Sequence, residues 1–380
     1  MTTPTRRAVL AGTTATAAAA GAQAAPASAG GAKAAAAVLA GLRTDLSIPA
    51  VSAAVVRGGK LVWAQAQGLA DVDLATPATP QNRFRIGSCS KLLTALTVIR
   101  LVERGAVDLD KPIGDYRPTL PETHRATTFR QLLGHQGGVR HYGPRDFNPK
   151  APGGTIDQRT YRTTDEALAI FVEDKLLSAP GEAYNYSTFG FSLAAAVLES
   201  ATGATFLDLV QREVAAPLSL QIVPDIVDNL TPGRVRPYQL AERYKAGNPL
   251  IVGKVINAPA VNPAYKWAGG GFLARATDLT LMGGALLKPG YLKAASLETL
   301  FQPQTPKRQG RNPVVGLAWR IDTDAKGRRR FHHAGAIEGG RSAVVIYPDA
   351  GVTVALTSNL GETPNDPLKP ITAIAEAFGV

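Results

Sequence analysis

The C-terminal part of this 380-residue chain contains four consecutive segments rich in β-branched and aromatic residues. They are VVGLAWRID (314–322), RRRFHHAG (328–335), RSAVVIYP (341–348) and GVTVALTSN (351–359). Such side chains favour strands, and the short turns between them join antiparallel neighbours. The sequence therefore predicts an antiparallel sheet, and the segment PLKPITAIAEAF that follows it is expected to pack on one sheet face as a helix.

The rest of the chain adds a hairpin and a helical region. In VSAAVVRGGKLVWAQAQGLAD (51–71), Gly58 and Gly59 supply the positive φ that a tight turn between two strands needs. Farther along, TTFRQLLGHQGG, TTDEALAIFVEDKLL and STFGFSLAAAVLESATG have helical patterns, with Thr164 near a helix start. Residues 140–162 form a long loop without periodicity, of the sort that borders a binding cleft.

These patterns together predict an α+β fold, an antiparallel sheet flanked by helices with a mostly helical subdomain. We expect a single catalytic domain over residues 30–380. Within it, residues 105–270 would be the mainly helical insert, and residues 33–104 plus 271–380 would form the part that contains the sheet.

The N-terminus has the pattern of an export signal over residues 1–29. Arg6 and Arg7 precede a weakly apolar, alanine-rich stretch, and two A-x-A sites follow at 22–24 and 27–29. Paired arginines before a modest apolar region are typical of a twin-arginine signal. The protein is therefore expected to be exported, periplasmic or extracellular. A disordered alanine-rich arm and an uncleaved anchor are the alternatives.

The charge of the chain limits its partners. Removal of the signal takes away two arginines, which lowers the formal net charge from +11 to +9. A basic exported protein would associate peripherally with an anionic wall or membrane surface. Nucleic acid is not an expected partner, because the basic residues are scattered and no binding motif accompanies them. The one tight run, KGRRR at 326–330, is interpreted as a solvated turn.

Cysteine and histidine usage argues against a metal site. The single cysteine, Cys89, excludes an internal disulfide and a cysteine-based zinc site. The five histidines show no H-E-x-x-H or comparable metal spacing. We therefore expect neither a metal nor any other cofactor.

The segment GSCSKLLTALTVIRLVE (87–103) has Ser88 three residues before Lys91 at the front of an apolar run. One interpretation is structural, with Ser88 as helix N-cap and Lys91 as a solvated end-turn cation. The other is catalytic. The run is apolar nearly all round, which indicates a buried helix, and residues three apart share a face. A desolvated lysine has a lowered pKa, so Lys91 can be the base that a serine nucleophile needs.

Two downstream motifs favour the catalytic interpretation. In PGEAYNYSTFG, Tyr186 follows a turn at the head of a helix, where its hydroxyl can exchange a proton or simply cap the core. In FHHAGAIEGG, His333 lies on a predicted strand that faces the cleft. Gly335 would let a substrate approach the backbone. The N–H groups of Ser88 and Ala336 would then form an oxyanion site.

The sequence resembles the serine β-lactamase and penicillin-binding-protein superfamily, class C branch. The motifs that carry the resemblance are FRIGSCSK, YST after PGE, KWAGGGF and HAG before a glycine pair. LLGHQGGVRHYG and YKWAGGGF are most similar to the LACTB-like serine hydrolases. The resemblance implies a β-lactamase/transpeptidase-like fold and an acyl-enzyme at Ser88. It assigns Lys91 as base or proton relay, Tyr186 as general base and acid, and His333 as strand-motif partner. Which of Lys91 and Tyr186 takes the first proton stays open.

Two positions depart from the pattern of that superfamily. Thr188 replaces the asparagine of the Y-S-N motif, so it can bond Lys91 but lacks the paired donor and acceptor of a carboxamide. Ala334 replaces the threonine that commonly binds a substrate carboxylate. Arg341 is a candidate to supply some of the positive field that these changes remove.

The sequence therefore predicts an exported serine hydrolase that acts through an acyl-enzyme on an amide or ester, as a peptidase or esterase. Its partner would be a small-molecule or peptide substrate, including cell-wall peptides. A class C β-lactamase or a D-alanyl-D-alanine carboxypeptidase is the catalytic alternative. A non-catalytic binding protein or filament-forming member is the alternative from another class.

Overall fold

The computed structural model describes residues 29–244, 254–304, 312–362 and 366–380. The predicted export signal lies outside the described residues, except for its last residue, Ala29, which begins the first helix. That signal therefore stays a prediction.

The strands of the described residues form one large sheet and two small ones. The large sheet has eight antiparallel strands in the order β3-β2-β1-β13-β12-β11-β10-β9. The small sheets have the orders β4-β8-β5 and β6-β7. In chain order the strands are β1 (Ala50–Arg57), β2 (Lys60–Asp71), β3 (Thr76–Pro77), β4 (Phe84–Arg85), β5 (Val223–Pro224), β6 (Tyr238–Leu240), β7 (Val255–Asn257), β8 (Phe272–Ala274), β9 (Val314–Val315), β10 (Arg320–Thr323), β11 (Arg329–Ile337), β12 (Gly340–Tyr347) and β13 (Val352–Ser358).

The helices lie on both faces of the large sheet. In chain order they are α1 (Ala29–Leu46), α2 (Ser90–Glu103), α3 (Glu122–Arg125), α4 (Phe129–Leu133), α5 (Pro144–Phe147), α6 (Thr164–Leu168), α7 (Phe189–Thr202), α8 (Phe206–Val210), α9 (Trp267–Gly270), α10 (Ala276–Gly284), α11 (Ala294–Phe301) and α12 (Lys369–Ala377). The described part of residues 105–270 contains α3 to α9 and three short strands, and the division of the chain into an insert and a sheet part stays a prediction.

Most of the predicted strands form where the sequence placed them. The hairpin between β1 and β2 turns at Gly58 and Gly59, whose φ angles are +58° and +80°. The segment at 314–322 is an exception, because it breaks into β9 and β10. A Cβ on Gly316 would lie 2.4 Å from the carbonyl oxygen of Leu300, and Ala318 has a φ of +67°. The chain bends there because Leu317 donates to Leu300 rather than to a strand.

The helical prediction at 163–177 is wrong beyond its first turn and a half. Helix α6 ends at Leu168, and turns follow it. It begins at Thr164, as predicted, and its N-cap is Thr163, whose side chain accepts from the Glu166 N–H. The hydroxyl of Thr164 instead donates to the carboxylate of Glu199 on α7, a tertiary contact that the local sequence pattern does not contain.

Two hydrophobic cores lie on opposite faces of the large sheet. The larger surrounds α2 and α7 and includes inner-face residues such as Val344 and Ala355. The smaller lies between the outer face and helices α1 and α12, where Ile371 and Ile374 are fully buried. The closing helix thus packs on the sheet as predicted.

Two further properties concern the described residues as a whole. No single helix among them is long and apolar enough to cross a membrane, although Phe189–Thr202 and Phe206–Ala215, bent by 88°, meet the length and composition test as a pair. The described ranges also contain no group of three or more His, Cys, Asp or Glu placed to hold a metal ion.

Candidate active site

Ser88 lies in a tight turn, not in the helix that follows it. Residues Gly87–Cys89 form a single 3₁₀ turn, and α2 begins at Ser90 without a side-chain cap. The interpretation of Ser88 as helix N-cap is therefore wrong. Gly87 has a φ of +48°, and the hydroxyl of Ser90 donates to the Gly87 carbonyl at 2.7 Å. These two features hold the turn in a conformation in which the Ser88 side chain reaches the cleft.

The turn that carries Ser88 packs directly on strand β11 because two glycines face each other. A Cβ on Gly335 would lie 1.9 Å from the carbonyl oxygen of Ile86, and one on Gly87 would lie 2.7 Å from the Ala336 nitrogen. The space beside the Cα of Gly335 is thus filled by the Ser88 turn, while Gly335 also borders the cavity, so its predicted role in substrate approach stays a prediction. The glycine pair brings the backbone of β11 to the nucleophile.

This packing places two backbone N–H groups beside Ser88. The two-residue connection between β11 and β12 makes Ile337 and Gly340 a hydrogen-bonded pair. The next pair, Ala336 and Arg341, is then non-hydrogen-bonded, so the Ala336 N–H points away from β12. Within the described residues, the backbone bonds of the turn use the N–H groups of Cys89 and Ser90 but not that of Ser88. Both predicted oxyanion donors are therefore available.

Lys91 is completely buried and has three hydrogen-bond partners. Its Nζ lies 3.3 Å from Ser88 Oγ, 3.0 Å from Thr188 Oγ1 and 2.6 Å from the carbonyl oxygen of Gly269. Burial lowers the pKa of Lys91 to about 7. The predicted contact between Thr188 and Lys91 is thus present, and the interpretation of Lys91 as a solvated cation is wrong. A substantial fraction of this side chain is neutral, and therefore basic, at neutral pH.

Tyr186 meets the same serine from the helical side of the cleft. Its hydroxyl donates to Ser88 Oγ at 2.8 Å, and Lys91 Nζ lies 4.9 Å from the centre of its ring. Burial raises the pKa of Tyr186. The phenol is therefore protonated at neutral pH, which suits it to give a proton rather than to take the first one.

Two histidines that the sequence analysis did not single out hold the segment of Tyr186. The N–H of Ser187 donates to His135 Nδ1 at 3.2 Å, and that of Thr188 donates to His141 Nδ1 at 3.1 Å. The rings of His135 and His141 also contact the Tyr186 ring, with centroids 4.5 Å and 5.5 Å away. Burial lowers the pKa of His141 to about 4 and that of His135 well below its usual value. Both rings are thus neutral acceptors.

His333 and Cys89 lie behind the cleft wall. β11 contributes Ala334, Gly335 and Ala336 to the cavity, whereas the ring of His333 is buried and its Nδ1 lies 2.7 Å from the Ala334 carbonyl oxygen. Burial, with Arg320 and Lys91 nearby, holds the pKa of His333 well below its usual value. His333 was expected to face the cleft, but its ring is neutral and lies beneath the cleft wall. Burial also raises the pKa of the Cys89 thiol to about 12.

The cleft above Ser88 has a volume of about 410 Å³ and carries two arginines. Arg341 stands at its wall, and its Nη1 donates to the carbonyls of Ile337 and Gly340, each at 3.0 Å. Arg320, at the start of β10, also lines the cleft, and among the described residues its guanidinium has no hydrogen-bond or ion-pair partner. Arg320 is therefore the better-placed cation for a substrate anion, and the sequence analysis missed it.

Lys266 is a second buried lysine near the cleft that sequence reasoning did not find. Its Nζ lies over the rings of Tyr142 and Tyr265, at 5.2 Å and 5.1 Å from their centres, and Tyr142 lines the cleft. Burial lowers its pKa to about 8. Some signals were present: Lys266 opens the KWAGGGF motif, and His135 and His141 lie in LLGHQGGVRHYG. Arg320 had no such signal.

A serine bonded to both a buried lysine and a tyrosine, between an antiparallel sheet and a helical region, is the architecture of the β-lactamase/transpeptidase-like superfamily. The chain belongs to the Beta-lactamase family, whose model matches residues 35–378. The resemblance predicted from its motifs and the predicted fold are confirmed.

Individual relatives lie within the same superfamily. Over 81% of this chain and 71% of the relative, it is 26% identical to the serine beta-lactamase-like protein LACTB, mitochondrial, of Mus musculus. Over 44% of this chain and 45% of the relative, it is 32% identical to Esterase EstB of Burkholderia gladioli. The fold is similar to that of D-amino acid amidase from Ochrobactrum anthropi SV3, with a TM-score of 0.75 and 24% identity over 91% of this chain and 97% of that one.

Proposed function

We propose that this protein is a serine hydrolase that forms an acyl-enzyme at Ser88. The observation that carries the proposal is the convergence of two proton-handling groups on one hydroxyl, Lys91 Nζ at 3.3 Å and Tyr186 OH at 2.8 Å from Ser88 Oγ. A serine hydroxyl needs an adjacent base to attack a carbonyl, and a leaving group needs a proton. Both requirements are met within hydrogen-bond distance.

The two pKa shifts suggest an order of proton transfer. Neutral Lys91 takes the Ser88 proton as Oγ bonds to the carbonyl carbon, and the N–H groups of Ser88 and Ala336 bind the oxyanion. Tyr186 is still protonated when the bond to the leaving amine or alcohol breaks, and it gives its proton to that group. Lys91 then returns a proton to the Tyr186 phenolate. Water then repeats the sequence on the acyl-enzyme, which releases the acid and frees Ser88.

An ester or amide is the proposed substrate class, which makes the protein an esterase or peptidase. The name of Esterase EstB and that of the D-amino acid amidase describe those two proteins and support this class by similarity. Arg320 favours a second candidate, a β-lactamase or D-alanyl-D-alanine carboxypeptidase, because both of their substrates carry a carboxylate. Thr188 and Ala334 count against it, since the carboxamide and hydroxyl usual at these positions are absent.

Covalent labelling of Ser88 tests this proposal. Folded protein is treated separately with a fluorophosphonate probe and a fluorescent penicillin, with Ser88→Ala as control. Turnover of p-nitrophenyl butyrate is then compared with turnover of nitrocefin. Labelling of wild type alone, with faster ester turnover, supports the ester or amide hydrolase, and faster nitrocefin turnover supports the second candidate. Failure of both probes contradicts catalysis and leaves a non-catalytic binding or filament-forming member.

Export is a separate proposal, and it rests on the twin-arginine-like signal at residues 1–29. The mature, basic chain would then meet cell-wall peptides and an anionic wall or membrane surface outside the cytoplasm. Cell fractionation of wild type and an Arg6→Lys/Arg7→Lys variant tests it. Retention of the variant alone in the cytoplasm supports export, and an identical distribution of both proteins contradicts it.

A further inference from the structure

The cavity that contains Ser88 does not end at the nucleophile. It continues across the outer face of the large sheet, and we call this part the arm. Its floor includes the row Ala334, Ala343 and Leu356, which are cross-strand neighbours on β11, β12 and β13. Strands lie about 4.8 Å apart, so the row extends about 10 Å from the catalytic strand.

Small side chains keep the arm open, and apolar ones line it. Ala334 and Ala343 carry only a methyl group, so the floor stays low over its first two strands. Leu42 of α1 and Pro370 of α12 also line it, and the last residue of the floor row, Leu356, is 9% exposed. Transfer of an apolar group from water into a cavity with such walls is favourable, whereas transfer of an unpaired charge is costly.

The polar groups of this cavity include Glu362, which accepts from the Leu240 N–H, and members of a second cross-strand row. The adjacent cross-strand row is Ala336, Arg341 and Ser358, and Arg341 is held by the carbonyls of the β11–β12 turn. Arg320 of β10 lines the same cavity, and its cross-strand partner on β11 is His332, two residues before Ala334. The cavity therefore combines two arginines and a carboxylate with one continuous apolar row.

We propose that the arm binds an apolar group of the substrate, a hydrocarbon chain or apolar side chain attached to one side of the scissile bond. This inference rests on the proposed hydrolase function and narrows its substrate class to esters or amides with such a group. The row of Ala334, Ala343 and Leu356 carries it, because it makes one continuous apolar floor from the cleft to α1 and α12.

Chain-length series test the arm on both sides of the scissile bond. One series is p-nitrophenyl acetate, butyrate and octanoate, which varies the acyl group, and the other is ethyl and octyl acetate, which varies the alcohol. If the arm takes the chain, KM falls in one series by up to about fourfold for each methylene removed from water. No dependence on length in either series overturns the proposal.

A matched pair of variants separates the arm from general hydrophobic binding. Leu42→Trp narrows the arm, whereas Leu46→Trp, four residues farther along the same helix and similarly half-buried, changes a residue that does not border the cavity. We expect Leu42→Trp to abolish the length dependence and Leu46→Trp to keep it. Ala343→Leu, which fills the arm from its floor, repeats the test if Leu42→Trp does not fold.

Two results would contradict the arm, and they differ from failure of the proposed function. If both tryptophan variants keep the length dependence, or both lose it, while the fluorophosphonate still labels Ser88, the arm is overturned and the hydrolase stands. If neither probe labels Ser88 in wild type, the hydrolase fails, and the arm as a substrate site fails with it.

Discussion

At the scale of single residues, the chemistry depends on how Lys91 is held. Burial is the largest influence on its pKa, followed by Cys89 and then Arg320. Cys89 would raise the pKa of Lys91 only as a thiolate, and its own pKa of about 12 keeps it protonated at neutral pH. Burial and Arg320 therefore dominate, and both lower the pKa of the lysine.

The lowered pKa of Lys91 predicts an acid limb in the pH profile. Below about pH 7 the side chain is protonated and cannot accept the Ser88 proton. We expect kcat/KM to fall about tenfold per pH unit below that point and to level off above it. Lys266, with a pKa of about 8, is the other buried lysine near the cleft. The Lys266→Met variant should keep this fall of kcat/KM at acid pH. If the variant loses it, Lys91 is not the group whose titration causes the fall.

His135 predicts a positioning effect on Tyr186. His135→Phe keeps a ring against Tyr186 but removes the acceptor of the Ser187 N–H. An unsatisfied buried N–H costs about 1–3 kcal/mol, enough to displace the phenol from Ser88. We expect kcat to fall about tenfold or more with KM little changed. Steady-state kinetics on protein shown folded by circular dichroism would measure this, and a change in KM alone would contradict it.

At the scale of elements, the active site is a junction between one turn and one strand. The 3₁₀ turn before α2 and strand β11 touch through Gly87 and Gly335, and the hydroxyl of Ser342 on β12 donates to the Ile86 carbonyl at 2.7 Å. Three backbone segments thus fix the nucleophile and its oxyanion donors together. The precision of the site is a property of this junction rather than of any one helix.

Gly335→Ala should disrupt this junction. Its methyl group would lie 1.9 Å from the Ile86 oxygen, so the turn and the strand must separate. We expect fluorophosphonate labelling of Ser88 to slow by about 100-fold, comparable to the loss of an oxyanion donor. Gly41→Ala is the matched control, because a Cβ there meets nothing within 4 Å. Equal labelling rates of the two variants would show that the close approach does not matter.

At the scale of the whole molecule, the catalytic sheet separates two cores that contribute differently. The core around α2 and α7 holds Lys91 and Tyr186, whereas the core beneath α1 and α12 supports the outer face. Changes in the outer core away from the arm should therefore affect stability without affecting the pH dependence that Lys91 sets.

Ile374 on α12 tests that separation. It is fully buried in the outer core, so Ile374→Ala should lower the free energy of unfolding by about 2–5 kcal/mol and Ile374→Val by about 0.5–1.5 kcal/mol. Urea unfolding measures both values. The Lys91 pH limb should be unchanged in each folded variant, and a shifted limb would show that the two cores are coupled.

The sequence predicted the features that local patterns encode. The long apolar runs of α2 and α7, the Gly58–Gly59 hairpin and the C-terminal strands all formed close to their expected positions. Ser88 and Lys91 were found because residues three apart share a helix face and because two downstream motifs favoured the catalytic interpretation. The turn at Ser88, the end of α6 at Leu168 and the bend after Val315 were missed, since tertiary contacts determine each of them.

The site residues that were missed share one physical reason. His135 and His141 act by accepting N–H groups from a segment about fifty residues away, and no periodicity signals such a bond. Arg320 lies at a strand start whose apolar neighbours suggested only a core strand. Gly335 was correctly singled out, but its role depended on which backbone lay opposite it.

The burial of Cys89 has a practical consequence for the protein on the bench. Its sulfhydryl is the only one in the chain and stays protonated, with its Sγ 3.5 Å from the His333 carbonyl oxygen. Air oxidation and maleimide dyes both require an accessible thiolate. Purified protein should therefore need no reducing agent in storage, and a surface cysteine introduced for fluorophore attachment would be the one site that such dyes modify.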